Sequence, residues 1–284
     1  FPRVNQLEQL LLLGSGQPDL VGNVVLHRQS KDADEFALRG LCRRSAQRAP
    51  RKSQQRQRER SPQTAKGKKR LKTQISQEER KRMHVVAFNG SPRTKGNTSI
   101  LIGYVFRELQ KQGISTELVQ LGNKKIKGCI ACYRCWEKKD RHCALKTDIV
   151  NQCIDKMLMA DGIILASPTY VTDVTAEMKA LIDRACLVAK ANGDMFRRKI
   201  GAAIVAVRRG GATHVFDTIN HFFLISQMIV PGSCYWNLGI GLEPGDVNKD
   251  EEGIRTMRLL GENMAWLLKK TAGKSVIHKP RRGK

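Results

Sequence analysis

The run His84-Val85-Val86-Ala87-Phe88 passes directly into Asn89-Gly90-Ser91-Pro92-Arg93-Thr94-Lys95-Gly96-Asn97-Thr98, and a helical pattern starts at once behind it. A β-branched run, a glycine-bearing polar turn and a helix in immediate succession are what a parallel sheet requires of each strand and the helix that covers it. The turn also carries chemistry. A helix N-terminus presents unpaired N–H groups and the positive end of its dipole. Ser91, Asn97 and Thr98 add side-chain donors, and Gly96 lets the backbone approach an anion closely. The segment suits a phosphate monoester; the plainer alternative is a strand-to-helix turn capped by Asn97 or Thr98. The Gly-Lys-Ser/Thr ending of a P-loop is absent.

Working outward, strands are expected at 84–88, 116–120, 162–167, 200–207 and 229–235, and helices at 98–112, 149–159, 176–189, 212–227 and 251–270, with Gly113 as a C-terminal stop. The last helix has acidic residues in its first turn and Lys269 and Lys270 in its last, in agreement with the helix dipole. The alternation predicts a three-layer α/β/α sandwich with a five-stranded parallel sheet of order 2-1-3-4-5, in one domain spanning 83–273. In such a sheet ligands sit beyond the carboxyl ends of the strands, where the first and third diverge. The segment 167–174 should therefore meet the phosphate loop. Pro168 restrains its path, Thr169 and nearby N–H groups can bond a polar ring edge, and Tyr170 can pack on an apolar face. A third loop, Arg208-Arg209-Gly210-Gly211, reaches the same edge.

Four of the eight cysteines, Cys129, Cys132, Cys135 and Cys143, form a C-x2-C-x2-C-x7-C run in the connection after the second strand. Four thiolates suit an iron-sulfur cluster or a zinc ion, and the tight spacing of the first three favours a cubane; free or redox-active thiols are the alternative. Cys153, Cys186 and Cys234 fall in or beside expected core elements and are assigned no chemistry. His84, His214 and His221 lack matched partners and are read as structural or surface residues.

Three motifs together resemble the NADPH-dependent FMN reductase and iron-sulfur flavoprotein group of the flavodoxin-like superfamily. They are Gly90-Ser91-Pro92-Arg93 with Gly96-Asn97-Thr98, then Ser167-Pro168-Thr169-Tyr170, then Met178-Lys179 with Ile182-Asp183-Arg184. The resemblance implies that Ser91, Arg93, Gly96, Asn97 and Thr98 hold the phosphate of FMN. It also implies that Pro168, Thr169, Tyr170 and Val171, with Gly210 and Gly211, surround the flavin ring. In the iron-sulfur branch, a compact motif like that of Cys129, Cys132, Cys135 and Cys143 binds a 4Fe-4S cluster. Asp183 and Arg184 are expected to make a local ion pair that fixes their helix against the sheet. A homo-oligomer, dimer or tetramer, is implied by the resemblance alone.

The remaining sequence is of another kind. Residues 43–82 hold sixteen Lys/Arg against three Asp/Glu, a net +13 out of the chain's +25, and contain no aromatic residue. Such a run cannot bury enough apolar surface to order itself, and the extension is expected to be disordered; residues 274–284 form a basic C-terminal tail. It lacks the aromatics and the modules of specific nucleic-acid recognition. No Met precedes Met83, which predicts a translation start there and an extension 1–82 outside the native protein; an intact mass matching the full chain would refute that expectation. The apolar run 7–13 is too short to span a membrane and lacks the flanks of a signal peptide. A cytoplasmic setting follows. The expected activity is that of an FMN-dependent enzyme taking hydride from NAD(P)H and passing electrons to a flavin or quinone. The alternative is an iron-sulfur flavoprotein that relays electrons to or from a ferredoxin-like protein.

Overall fold

Strands buried on both faces need apolar side chains at consecutive positions, and three segments supply them. In the computed structural model, which describes residues 83–272, they are β1 (His84–Asn89), β3 (Gly162–Pro168) and β4 (Ile200–Val207), each buried along nearly its whole length. The edge strands β2 (Ser115–Gln120) and β5 (Leu238–Ile240) are partly exposed. All pairings are parallel and the order is β2-β1-β3-β4-β5. The basic extension, the 7–13 run and the C-terminal tail of the sequence reading lie outside the described residues.

The period-2 alternation of a strand sends successive side chains to opposite layers. Val86, Phe88, Ile163, Leu165, Ala203 and Val205 face one core; Val85, Ala87, Ile164, Ala202 and Ile204 face the other. The first core is closed by α3 (Val150–Met159), α4 (Ala176–Ala191) and α5 (Ala212–Ile225), the second by α1 (Asn97–Lys111) and α6 (Glu251–Thr271). A short helix, α2 (Arg134–Lys138), interrupts the long connection between β2 and α3. The expected helices all form, within a few residues of their expected ends. Gly113, at φ +76°, ends α1 as expected, its N–H donating to Gln110 and that of Ile114 to Leu109. Asp250 caps α6 by accepting from the Gly253 N–H at 2.9 Å.

The fifth strand is not where the sequence reading placed it. In the segment 229–235 only Ile229 bridges the sheet, opposite Ile200, before Pro231 removes the next donor and turns the chain outward. The strand forms later, with Leu238 opposite Val205 and Ile240 opposite Val207. Residues 230–237 become a surface loop carrying the exposed Tyr235 and Trp236, and Cys234 is exposed rather than core.

Helices α1 and α6 pack closely because Gly261 has no side chain. A Cβ there would lie 2.8 Å from Glu108 Cβ and 2.9 Å from the Val105 carbonyl oxygen. Gly261→Ala is therefore expected to destabilise the domain by about 1–3 kcal/mol through overpacking, despite the better helix propensity of alanine. Urea unfolding would check this; a stabilised variant would contradict the close packing.

Candidate functional site

The phosphate loop is braced from three directions. The Gly90 N–H donates to the Ala166 carbonyl at 2.8 Å, and Thr175 Oγ1 donates to the Gly90 carbonyl at 3.0 Å. Buried Asn89 accepts from the Ser91 N–H and donates to Gln120 Oε1, while Gln120 Nε2 donates to the Ser91 carbonyl. The loop's carbonyls are thus engaged inward, leaving the N–H groups of the first turn of α1 to face the open side, where an anion is stabilised. Asn97 does not cap the helix. Its Oδ1 accepts from the Gly245 N–H at 2.8 Å and so ties this loop to the segment behind β5.

Beyond the sheet edge lies an open cavity of about 190 Å³. Of the residues nominated from sequence, it brings together Ser91, Arg93, Asn97 and Thr98 with Pro168, Thr169 and Tyr170. Gly96, Val171, Gly210 and Gly211 do not line it. Ala206, Val207, Arg208, Gly241 and Leu242 complete the wall. Gly241 and Leu242 escaped the sequence reading because β5, which delivers them, was placed too early. Thr169 Oγ1 is buried in this wall with no hydrogen-bond partner among the described residues, as expected of a group awaiting a ligand. An elongated ligand with an anion at one end and a polar-edged ring at the other fits this set, and FMN has that form.

The ring loop contains a two-residue turn. Tyr170 and Asp173 exchange both backbone hydrogen bonds, at 2.8 and 3.0 Å, across Val171 at φ +46° and Thr172 at φ +63°. This is the geometry of a type I′ turn, normally filled by Asn-Gly, here occupied by two β-branched residues. Gly211, at φ +86°, lies behind it: a Cβ there would stand 3.0–3.2 Å from Thr172. The glycine of the third loop therefore supports the ring loop instead of touching the cavity.

The four-cysteine loop forms a second, small cavity, of about 40 Å³, lined by Cys129, Cys132, Cys135 and Cys143 together with Trp136 and Arg184. Ala131, Tyr133, Lys139 and Arg141 all adopt positive φ, winding the backbone tightly around it. Burial pushes the Cys135 thiol above its ordinary pKa; backbone hydrogen bonds oppose this, and the nearby Cys143 and Cys132 sulfurs add to the rise. Among the described residues no three His, Cys, Asp or Glu side chains converge closely enough to ligate one ion. All four cysteines line this one cavity without closing on a single point, which suits a cluster of several irons better than a single zinc with every ligand at about 2.3 Å.

The ion pair expected for Asp183 and Arg184 takes another form. Half-buried Asp183 pairs with Lys179 one turn back, whereas the Arg184 guanidinium is wholly buried and pairs with Asp148 at 2.5 Å. Arg184 also donates to the Lys127 and Leu145 carbonyls and, through Nε, to Cys143 Sγ at 3.3 Å. The reason is reach: the side chain points from α4 into the cysteine loop, away from the sheet. Burial opposes ionisation of Asp148, but the Arg184 guanidinium and the N–H groups of Lys127 and Val150 overcome it and hold the carboxyl below its usual pKa. Cys153 is buried and its thiol is pushed up to about 12, as an inert core residue should be. His214 and His221 are exposed, and His84 bonds Ser115 Oγ at the edge of the sheet.

The sheet order, the braced phosphate loop and the cavity at the switch point define a flavodoxin-like protein that binds FMN. Residues 83–243 match the NADPH-dependent FMN reductase family, and the chain belongs to it. An iron-sulfur flavoprotein of Methanocaldococcus jannaschii is 38% identical over 194 residues, covering 66% of this chain and 98% of that protein. One from Methanosarcina thermophila is 31% identical over 177 residues, covering 62% and 90%. Among solved structures, RosB with a bound 8-demethyl-8-formylriboflavin-5′-phosphate superposes with a TM-score of 0.55 at 22% identity, over 66% of this chain and 80% of that one, a likeness of fold. The chain is a flavoprotein oxidoreductase.

Two measurements test the geometry. Replacing Val171-Thr172 by Asn-Gly should relieve the left-handed strain and raise stability by about 1–3 kcal/mol, read by urea unfolding; an unchanged midpoint would deny the strain. For Asp148, whose folded pKa is depressed, the stabilising contribution is present above about pH 4 and is lost as pH falls through the lower folded value. In Asp148→Asn that part of the stability-versus-pH curve should flatten, and an acid limb identical to wild type would remove Asp148 from the account.

Proposed function

We propose that the chain is an iron-sulfur flavoprotein that holds FMN in the cavity beyond β1 and β3, and a 4Fe-4S cluster on Cys129, Cys132, Cys135 and Cys143. The observation that carries this reading is that all four cysteines line one cavity beside a buried arginine. The names of the relatives support it. FMN, when bound, supplies the exchange between two-electron and one-electron chemistry. The chain's residues do the rest. Ser91, Asn97, Thr98 and the first N–H groups of α1 hold the phosphate, with Arg93 at the mouth adding charge. Thr169 bonds the polar edge of the ring and Tyr170 covers its face. No side-chain acid or base is needed, and we assign no catalytic residue.

Reduced nicotinamide or a ferredoxin-like protein supplies electrons, and a flavin, a quinone or that protein partner receives them. A second reading, an NAD(P)H-dependent reductase working with FMN alone, is favoured by Arg208 in the cavity wall and Arg93 at its mouth, two cations available to nicotinamide phosphates. A cytoplasmic homo-oligomer belongs to either reading. Among the described residues no helix is long and apolar enough to cross a membrane.

The test is a visible spectrum of protein purified without oxygen, with iron and acid-labile sulfide assayed on the same sample. About four irons per chain and a broad shoulder under the flavin bands are expected. Flavin bands without iron would leave the reductase. In addition, Asn97→Ala should weaken FMN retention roughly tenfold, the worth of one hydrogen bond of about 1.4 kcal/mol that fixes the phosphate loop, as read by fluorescence of released flavin.

A further inference from the structure

Arg184 is placed in a way that holding a helix to a sheet would not require. The four cysteines lie between Lys127 and Asp148, and the donors of this one side chain reach both ends of that segment. Nη1 donates to the Lys127 carbonyl at 3.0 Å, two residues before Cys129, and to the Asp148 carboxylate at 2.5 Å. Nη2 donates to the Leu145 carbonyl at 2.9 Å, two residues after Cys143. Nε, the remaining direction of the fork, donates to Cys143 Sγ at 3.3 Å. Lysine offers three donors on a single atom and cannot span such a set; the planar guanidinium can. Cys143 itself is gripped from the other side by Asn151, which accepts from its N–H at 2.8 Å and donates to its carbonyl at 3.0 Å.

The electrostatics give the contact a direction. Arg184 is a wholly buried cation, and Asp148, its counter-ion, is nearly as buried. In so dry a setting a hydrogen bond from a cation to sulfur withdraws electron density from that sulfur far more effectively than it would in water. A sulfur that accepts such a bond makes the metal group it ligates easier to reduce, the usual route by which surroundings tune iron-sulfur potentials.

We propose that Arg184 is a positioning residue for electron transfer: it fastens the two ends of the cysteine loop and, through its bond to Cys143 Sγ, raises the reduction potential of the cluster that loop holds. This rests on the reading of the loop as a cluster site. Asp148 works against it, since its charge offsets that of the guanidinium. Removing Arg184 and removing the charge of Asp148 should therefore move the potential in opposite directions, which a purely structural role would not do.

The experiment uses the full chain, purified without oxygen, as wild type, Arg184→Lys, Asp148→Asn and the doubly neutral Arg184→Gln/Asp148→Asn, which leaves no unpaired buried charge if a single change impairs folding. Iron, sulfide and FMN are assayed, and the cluster and flavin potentials are titrated by EPR and visible spectroscopy. In Arg184→Lys and the double variant, iron retention should fall about 10- to 100-fold with FMN content unchanged, and the remaining cluster should titrate at lower potential. In Asp148→Asn it should titrate higher. Wild-type potential and iron content in both Arg184 variants would overturn the inference while leaving the cluster reading intact. Parallel loss of FMN and iron would also overturn it, reducing Arg184 to a residue of general stability. Absence of iron from the wild type would instead overturn the cluster reading, and the inference with it.

Discussion

The hydrogen bond from the Gly90 N–H to the Ala166 carbonyl joins the first and third strands at the point where their chains part. Parallel strands buried on both faces have no freedom to carry chemistry along their length, so everything polar must gather where they end. The bond fixes how far apart the phosphate loop and the ring loop begin. Thr175 reinforces it by bonding the Gly90 carbonyl while its own N–H is held by Ser167 Oγ. The cavity follows from that spacing, and its polar lining follows from the need to end two strands without leaving their last groups unpaired.

What could be read from the sequence was what is local. The interior strands announce themselves through unbroken apolar runs, and the phosphate loop through a turn whose residues each suit an anion. The fifth strand was misplaced for an equally local reason. Three residues are too few to show periodicity, and their pairing is decided by register with Val205 and Val207, which no window of sequence contains. The apolar run before Pro231 looked more like a strand than the strand did.

Roles that depend on distant partners were harder to see. Asp183-Arg184 looks like a pair on paper because the two residues adjoin, yet adjacent positions on a helix point in different directions. Arg184 finds Asp148 thirty-six residues earlier in the chain. Gly211 was similar: its glycine nature invited a ligand contact, and its real neighbour is Thr172. The cysteine run was legible as a candidate site because four such side chains rarely crowd without a reason. That the loop would be clasped by a single side chain from another element had no signature in the spacing.

Helix α4 starts at Thr175's bond to the base of one cavity and carries Arg184 into the wall of the other. The nine residue steps from Thr175 to Arg184 rise about 14 Å at the ordinary pitch of an α-helix. That helix is a ruler laid between two cavities. Its length is held by backbone hydrogen bonds rather than by loops, so the spacing of the two cavities does not depend on the loops around them.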